Sequence, residues 1–161
     1  MAVNMHLKIE GPPVLGESVV RGHEQEIDVL SCTWKMNQTG SMHSPTGGAG
    51  KVTVEDLHIS KKVDRASPIL MAYCCSGKHF ERATLSCSEA GGDMPVQYWT
   101  LTMEKVIIKT VATEGILGDE RLNESVCLDF AKYRVEYIHQ QALGEPGPAV
   151  VHTWDIAKNE P

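Results

Sequence analysis

The sequence predicts a mainly β protein, a small β-barrel of two antiparallel sheets with one short flanking α-helix. Three observations carry that expectation. Apolar and polar side chains alternate with period two along most of the chain, the alternation changes phase inside several long runs, and only one segment carries both helix start and stop signals. Such phase changes are expected where a strand bends or bulges as a curled sheet passes from one layer to the other. At 161 residues, one domain spanning residues 1–161 is expected.

Taken in order, Val3, Met5, Leu7 and Ile9 fall on one face of a half-buried first strand, with Asn4, His6, Lys8 and Glu10 on the other. A Gly/Pro-rich stretch follows over residues 11–22. Residues 27–36 alternate again but change phase between Val29 and Leu30, so Leu30, Cys32, Trp34 and Met36 share the later face. Ser31, Thr33 and Lys35 then point the opposite way. Similar switches separate Val52 and Val54 from Leu57 and Ile59, and Val126, Leu128 and Phe130 from Tyr133, Val135 and Tyr137. Further strands are expected at 80–88, 96–111 and 149–157, about seven in all. The helix is expected to take Ser67 as N-cap and Pro68 at N1, to run through Cys75, and to end at Gly77.

Composition excludes several function classes. With 15 Lys and Arg against 21 Asp and Glu, the net charge is −6, which argues against a nucleic-acid partner. The longest apolar runs are a few residues, far short of the ~20 needed to span a bilayer, so no membrane association is expected. The alternating N-terminus shows no basic-then-apolar leader, so no signal peptide is expected and synthesis should end in the cytosol. Five cysteines without CxxC spacing (Cys32, Cys74, Cys75, Cys87 and Cys127) suit reduced thiols packed as small hydrophobes.

Motifs for catalysis or cofactors fail on inspection. Gly47 to Lys51 suggests a phosphate loop, but Pro45 and Val52 stand where Gly and Ser or Thr are required. A dinucleotide fingerprint would need Gly at Thr53 and a helix after it. The seven histidines show no HxH or HExxH spacing, so they are expected to be solvated and no metal site or cofactor is expected. Cys74 and Cys75 near His79 resemble a thiol beside a base, yet they sit near the helix C-terminus, where the dipole raises a thiol pKa. Glu55-Asp56 and Asp119-Glu120 are sequence neighbours, which in a strand point to opposite faces and make a poor acid/base pair.

The strings Gly16-Glu17-Ser18, Glu26-Ile27-Asp28-Val29-Leu30-Ser31, Gly40-Ser41-Met42-His43, Gly48-Ala49-Gly50-Lys51-Val52, Ala66-Ser67-Pro68, Ser76-Gly77-Lys78-His79 and Phe130-Ala131-Lys132 stand in this order. Gly118-Asp119-Glu120-Arg121-Leu122, Val135-Glu136-Tyr137 and Trp154-Asp155-Ile156 continue the series. Together they resemble the haemolysin-coregulated protein (Hcp) family over essentially the whole chain. The sequence departs from the family at 112–118, where Glu-Gly-Ile-Leu replaces a run richer in Gly and Ser, and at Cys74, Cys75 and Cys87. The resemblance implies a small two-sheet barrel with a flanking helix, no enzymatic activity, and a structural role as the type VI secretion tube subunit. Six-subunit rings stacked into a tube, a surrounding sheath, a spike protein at the tip and small effector proteins carried in the lumen are the implied partners. Secretion through that system needs no signal peptide.

Two surfaces are expected to matter in such an assembly. The long, Gly-rich loop over residues 38–50 has little to pack against at home, so Gly40, Ser41, Met42, His43, Ser44, Thr46, Gly47, Gly48 and Gly50 are expected to contact a neighbouring subunit or ring. With Leu30, Cys32, Trp34 and Met36 turned to the core, Ser31, Thr33 and Lys35 are expected to face the lumen and touch cargo. The competing expectation is a monomeric ligand-binding β-barrel. Its weakness is that Trp34, Met36, Leu101, Met103, Leu128 and Phe130 are large enough to fill the interior. A hydrolase using Cys75 and His79 is disfavoured by the dipole argument above.

Overall fold

The computed structural model describes residues 3–43, 45, 48, 50–90, 95–141 and 144–161. Among them the order is β1 (Val3–Glu10), β2 (Ile27–Val29), β3 (Ser31–Thr33), β4 (Met36–Gln38), β5 (Val52–Val54), β6 (Leu57–Lys62), α1 (Ser67–Ser76), β7 (His79–Glu89), β8 (Val96–Glu114), β9 (Asn123–Gln140) and β10 (Pro146–Asp155). The expected seven strands become ten because two runs that switch phase are divided. Residues 27–38 break into β2, β3 and β4, and residues 52–62 into β5 and β6.

Antiparallel pairing joins eight strands in the order β2-β1-β7-β8-β9-β6-β3, with β10 also on β9, while β4 and β5 form a separate ribbon. β9 carries two partners along one side. Its first half pairs with β6, from Leu128–Leu57 to Asn123–Lys62, and its second half pairs with β10. The bend between these halves lies where the phase switches: Phe130 and Tyr133 are both buried, as are Met103 and Val106 opposite them on β8. Lys105 takes a positive φ of 54° at this level, and the Ala131 carbonyl accepts the Ile156 amide at 2.8 Å. The switch read in the sequence is thus a bend shared by two long strands.

The two ends of the ladder path are one segment of chain. Residues 27–29 pair with β1, residues 31–33 pair with β6, and Leu30 between them donates its amide to the Ser60 carbonyl at 2.8 Å. Among the described residues no lateral strand pair closes the ladder; the chain itself crosses from one edge to the other. Within the curl, Leu7, Ile27, Leu57, Leu70, Phe80, Leu85, Leu101, Met103, Leu128 and Tyr133 are buried as one core.

Four expectations need correction. Leu30, Cys32 and Met36 are exposed in the single chain, because Leu30 sits at the crossover, Cys32 at an open end of the interior, and Met36 on the ribbon beyond the core. Of that set Trp34 packs against the core. Ser67 lies inside the helix rather than at its N-cap. Ala66 takes that position without a side-chain cap, and Asp64 Oδ1 accepts the Ala66 amide at 3.0 Å instead. Pro68 and the left-handed Gly77, φ 68°, frame the helix as expected. His6 is buried, not solvated, because residues 14–26 fold back over the outer face of β1. His23 stacks on it at 4.4 Å between ring centroids, and Asp28 stands 3.4 Å from its Nε2. Finally, of the five unpaired thiols only Cys87 and Cys127 are buried, whereas Cys32 and Cys75 are exposed.

A buried charge that no residue pattern predicts fixes the helix to the sheet. Lys61 follows Leu57 and Ile59 on the core face of β6 and is fully buried. Its Nζ lies 2.7 Å from Asp64 Oδ1, 2.9 Å from Glu124 Oε1 and 3.1 Å from Ser67 Oγ. Glu124 is also fully buried, and neither of its oxygens has an aligned hydrogen-bond donor, so its carboxylate depends on the Lys61 charge. Removing one member of such a pair strands a buried charge, at a cost of about 3–5 kcal/mol. Lys61→Met is expected to lower the urea midpoint by a corresponding amount, followed by circular dichroism. Lys61→Met with Glu124→Leu is expected to recover most of that loss, and a double variant no more stable than the single one would refute the account.

Candidate functional site

Ser31 and Thr33 lie on a sheet face whose members are set by cross-strand register. Thr33 is opposite His58, His58 opposite Cys127, and Cys127 opposite Thr110, which makes one transverse row across β3, β6, β9 and β8. Ser31, Ser60 and Ser125 form the next row. Residues directly opposed in antiparallel strands project to the same side, so these side chains share one surface. They line an open depression of about 270 Å³. Small hydroxyl groups dominate it, and Ser31 Oγ and Ser60 Oγ hydrogen-bond across the strands.

Charged groups collect at one margin. Lys109 is the extra residue at a register shift between Ile108 and Thr110, and its Nζ lies 3.4 Å from Asp56 and 4.0 Å from Asp129. Asp56 and Asp129 flank it, and burial together with the Asp56 charge pushes the Asp129 carboxyl above its ordinary value. Cys127 Sγ donates to Asp56 Oδ2 at 3.4 Å and lies 4.0 Å from His58 Nε2. Burial first, and then the hydrogen bond to Asp56, push this thiol up to about 11. It is therefore protonated at neutral pH and is not poised as a nucleophile. At the other thiol–base pair, His79 is aimed at Glu81, 3.5 Å away, and no hydrogen bond joins it to Cys75 among the described residues.

Lys35 stands apart from Ser31 and Thr33. Its Nζ pairs with Glu55 at 3.4 Å, at the root of the β4–β5 ribbon. Trp34 anchors that root: its Nε1 donates to the Glu55 carbonyl at 2.9 Å, and its ring meets Tyr133 edge-on at 4.9 Å. Beyond it Met36–Val54, Asn37–Thr53 and Gln38–Val52 pair, and the Lys51 amide donates to Thr39 Oγ1 at 2.9 Å. Gly40 and Gly50 then pass so closely that a Cβ on Gly50 would collide with the Gly40 amide, so glycine is required there. Past this point Gly40, Ser41, Met42, His43, Gly48 and Gly50 are exposed, with Met42 at 95%. Ser44, Thr46 and Gly47 lie outside the described residues. The described residues of 38–50 thus leave the body as a paired arm whose far residues are exposed.

Sequence reasoning missed His58, Ser60, Thr110, Ser125 and Cys127. Their period-two placement between Leu57, Ile59 and Lys61, and between Val126 and Leu128, marks them as outward-facing. Only the strand register joins them to Ser31 and Thr33. Among the described residues no group of three or more His, Cys, Asp and Glu side chains is placed to hold a metal ion. No helix among them is long and apolar enough to cross a membrane.

Comparison with known proteins places this architecture. Residues 6–137 match a family described as "Type VI secretion system effector, Hcp". The chain is 45% identical to Protein hcp1 of Pseudomonas aeruginosa over 161 residues, covering 99% of this chain and 98% of that protein. Among solved structures it resembles Hcp1 from Salmonella typhimurium, with a TM-score of 0.82, 35% identity and 99% of each chain covered. A type VI secretion system effector from Yersinia pestis is similar at a TM-score of 0.76 and 29% identity, covering 94% of this chain and 98% of that one.

The perturbed thiol gives a direct test of the site geometry. Raising a thiol from its ordinary value of 9.0 to about 11 lowers its thiolate fraction about 100-fold at pH 8. Iodoacetamide is therefore expected to label the exposed Cys75 well before Cys127, read by peptide mass spectrometry. Asp56→Asn is expected to speed labelling of Cys127, and equal rates at Cys75 and Cys127 would contradict the burial and hydrogen bonding described.

Proposed function

The chain belongs to the Hcp family of the type VI secretion system, and from that membership we propose that it is the tube subunit, closing into six-membered rings that stack into a hollow cylinder. The observation that carries this reading is the arm: a paired, anchored ribbon whose tip, with Met42 uncovered, has no partner within the chain among the described residues. A folded body that holds out an uncovered methionine on a fixed ribbon is built for contact with another copy. Gly40, Ser41, Met42, His43, Gly48 and Gly50 would supply that contact, with Ser44, Thr46 and Gly47 continuing it.

The hydroxyl-lined face would line the channel. Ser31 and Thr33 lie within it and Lys35 beside the arm, so cargo would meet mainly small polar groups. Such a surface binds a passenger protein without burying it in an apolar pocket, which suits release. Small effector proteins are then the carried ligands, the sheath and the tip spike the remaining partners, and the chain leaves the cell with the tube. The monomeric ligand-binding barrel is disfavoured because Leu7, Leu85, Leu101, Met103, Leu128 and Phe130 fill the interior.

Light scattering after size-exclusion chromatography is expected to give about six times the 17.7 kDa of one chain. A monomer at high concentration would overturn the ring. Deleting residues 41–48 is expected to leave the circular dichroism of the body intact while ring closure or stacking fails in negative-stain images. Thr33→Arg is expected to keep the ring mass and abolish effector retention, since six guanidinium groups would crowd one channel. Retention by Thr33→Arg rings would place β3 on the wrong side.

A further inference from the structure

Three sulfur atoms converge at one end of the interior, and the tube reading uses none of them. Met5 on β1 sits directly opposite Cys87 on β7 in the antiparallel ladder. Cys32 on β3 reaches from the far edge of the sheet and brings its Sγ to 3.7 Å from Met5 Sδ. Opposed residues in such a ladder hold their Cβ atoms about 4.5–5.5 Å apart, so Met5 neighbours both cysteines. Cys87 is buried and Cys32 is exposed, which gives the cluster a closed side and an open one.

We propose that Met5, Cys32 and Cys87 form a binding site for a soft monovalent metal ion, copper(I). Two thiolates and a thioether are the donor set that selects this ion. Bonds of about 2.3 Å in a trigonal plane hold the sulfurs about 4 Å apart, close to the 3.7 Å already present between Cys32 and Met5. Zinc is a poorer match, because it takes four ligands and no further His, Asp or Glu joins the two thiols among the described residues. On binding, each thiol gives up its proton, two sulfur–copper bonds form from the thiolates and one from the thioether, and no electron is transferred. The sequence expectation of no metal considered only CxxC and histidine spacings. This set is invisible to them, since its members lie 27 and 55 residues apart in the chain and meet only through β1–β7 pairing and the crossing of β3.

The site lies within one chain, so its copper content per chain is independent of whether rings form. Titrating the full-length protein anaerobically with copper(I) against bicinchoninate, with ascorbate as reductant, is expected to load one ion per chain and to raise thiolate-to-copper absorption in the ultraviolet. Cys32→Ser, at an exposed position that leaves the core packed, is expected to weaken binding about 100-fold, and Met5→Leu about 10-fold. Cys87→Ala should match Cys32→Ser wherever circular dichroism shows it folded, and Cys75→Ser should bind as the unaltered chain does. Unchanged affinity in Cys32→Ser, equal loss in Cys75→Ser, or a Cys32–Cys87 disulfide in the reduced, copper-treated protein would each overturn the proposal.

Discussion

The β8–β9 ladder is the constraint on which the other elements depend. The two strands, 19 and 18 residues long, stay paired from Trp99–Tyr137 to Glu114–Asn123, a span of about 50 Å when extended. Among the described residues no other strand pair is as long. β7 runs along β8, while β6 and β10 divide the length of β9 between them, so the bend near Lys105 and Ala131 decides which layer each joins. The phase reversal there turns Met103 and Val106, and likewise Phe130 and Tyr133, into one interior. A regular alternation through the bend would have sent one half of each strand's apolar set to solvent.

Local rules read from residue types were sufficient for the first strand, the long hairpin and the helix stop. Leu7 and Ile9 are buried where alternation puts them, and Gly77 ends α1 in the left-handed conformation. Where two local signals compete, tertiary context chose. Ser67 is a good cap by type, yet its hydroxyl is held by Lys61 and the Asp64 amide, and Ala66 takes the cap position with its amide donating to Asp64 Oδ1. Leu30 follows the strand pattern but occupies the one position where the chain changes partners. His6 has a polar side chain on the outward face, and its burial depends on a returning loop whose path no periodicity encodes.

The candidate face was half legible for a related reason. Alternation assigns Ser31 and Thr33 to a side, but a functional surface is a set of neighbours, and neighbours across strands are fixed by register. His58, Ser60, Ser125 and Cys127 come from strands that begin 26 and 92 residues beyond β3. Lys35 illustrates the converse. It shares the parity of Ser31 and Thr33, yet the chain leaves the sheet after Thr33, and the lysine is used at the root of the arm against Glu55. The arm itself was legible as a long Gly-rich excursion, while its ordered base, set by Trp34 and the Thr39–Lys51 hydrogen bonds, was not.

The segment that joins β2 to β3 has a mechanical meaning. Because residues 27–29 are stitched to β1 and residues 31–33 to β6, the two outer edges of the sheet share a seven-residue tie. Peeling either edge strand from the molecule drags on the hydrogen bonds of the other, so the edges cannot fray independently. Slippage is blocked as well: moving one ladder by a residue would shift the second by the same amount and turn Ile27 and Val29 out of the core. A force applied along the strands loads such a sheet in shear. A sheet tied to itself in this way spreads that shear over two ladders and resists opening at a seam.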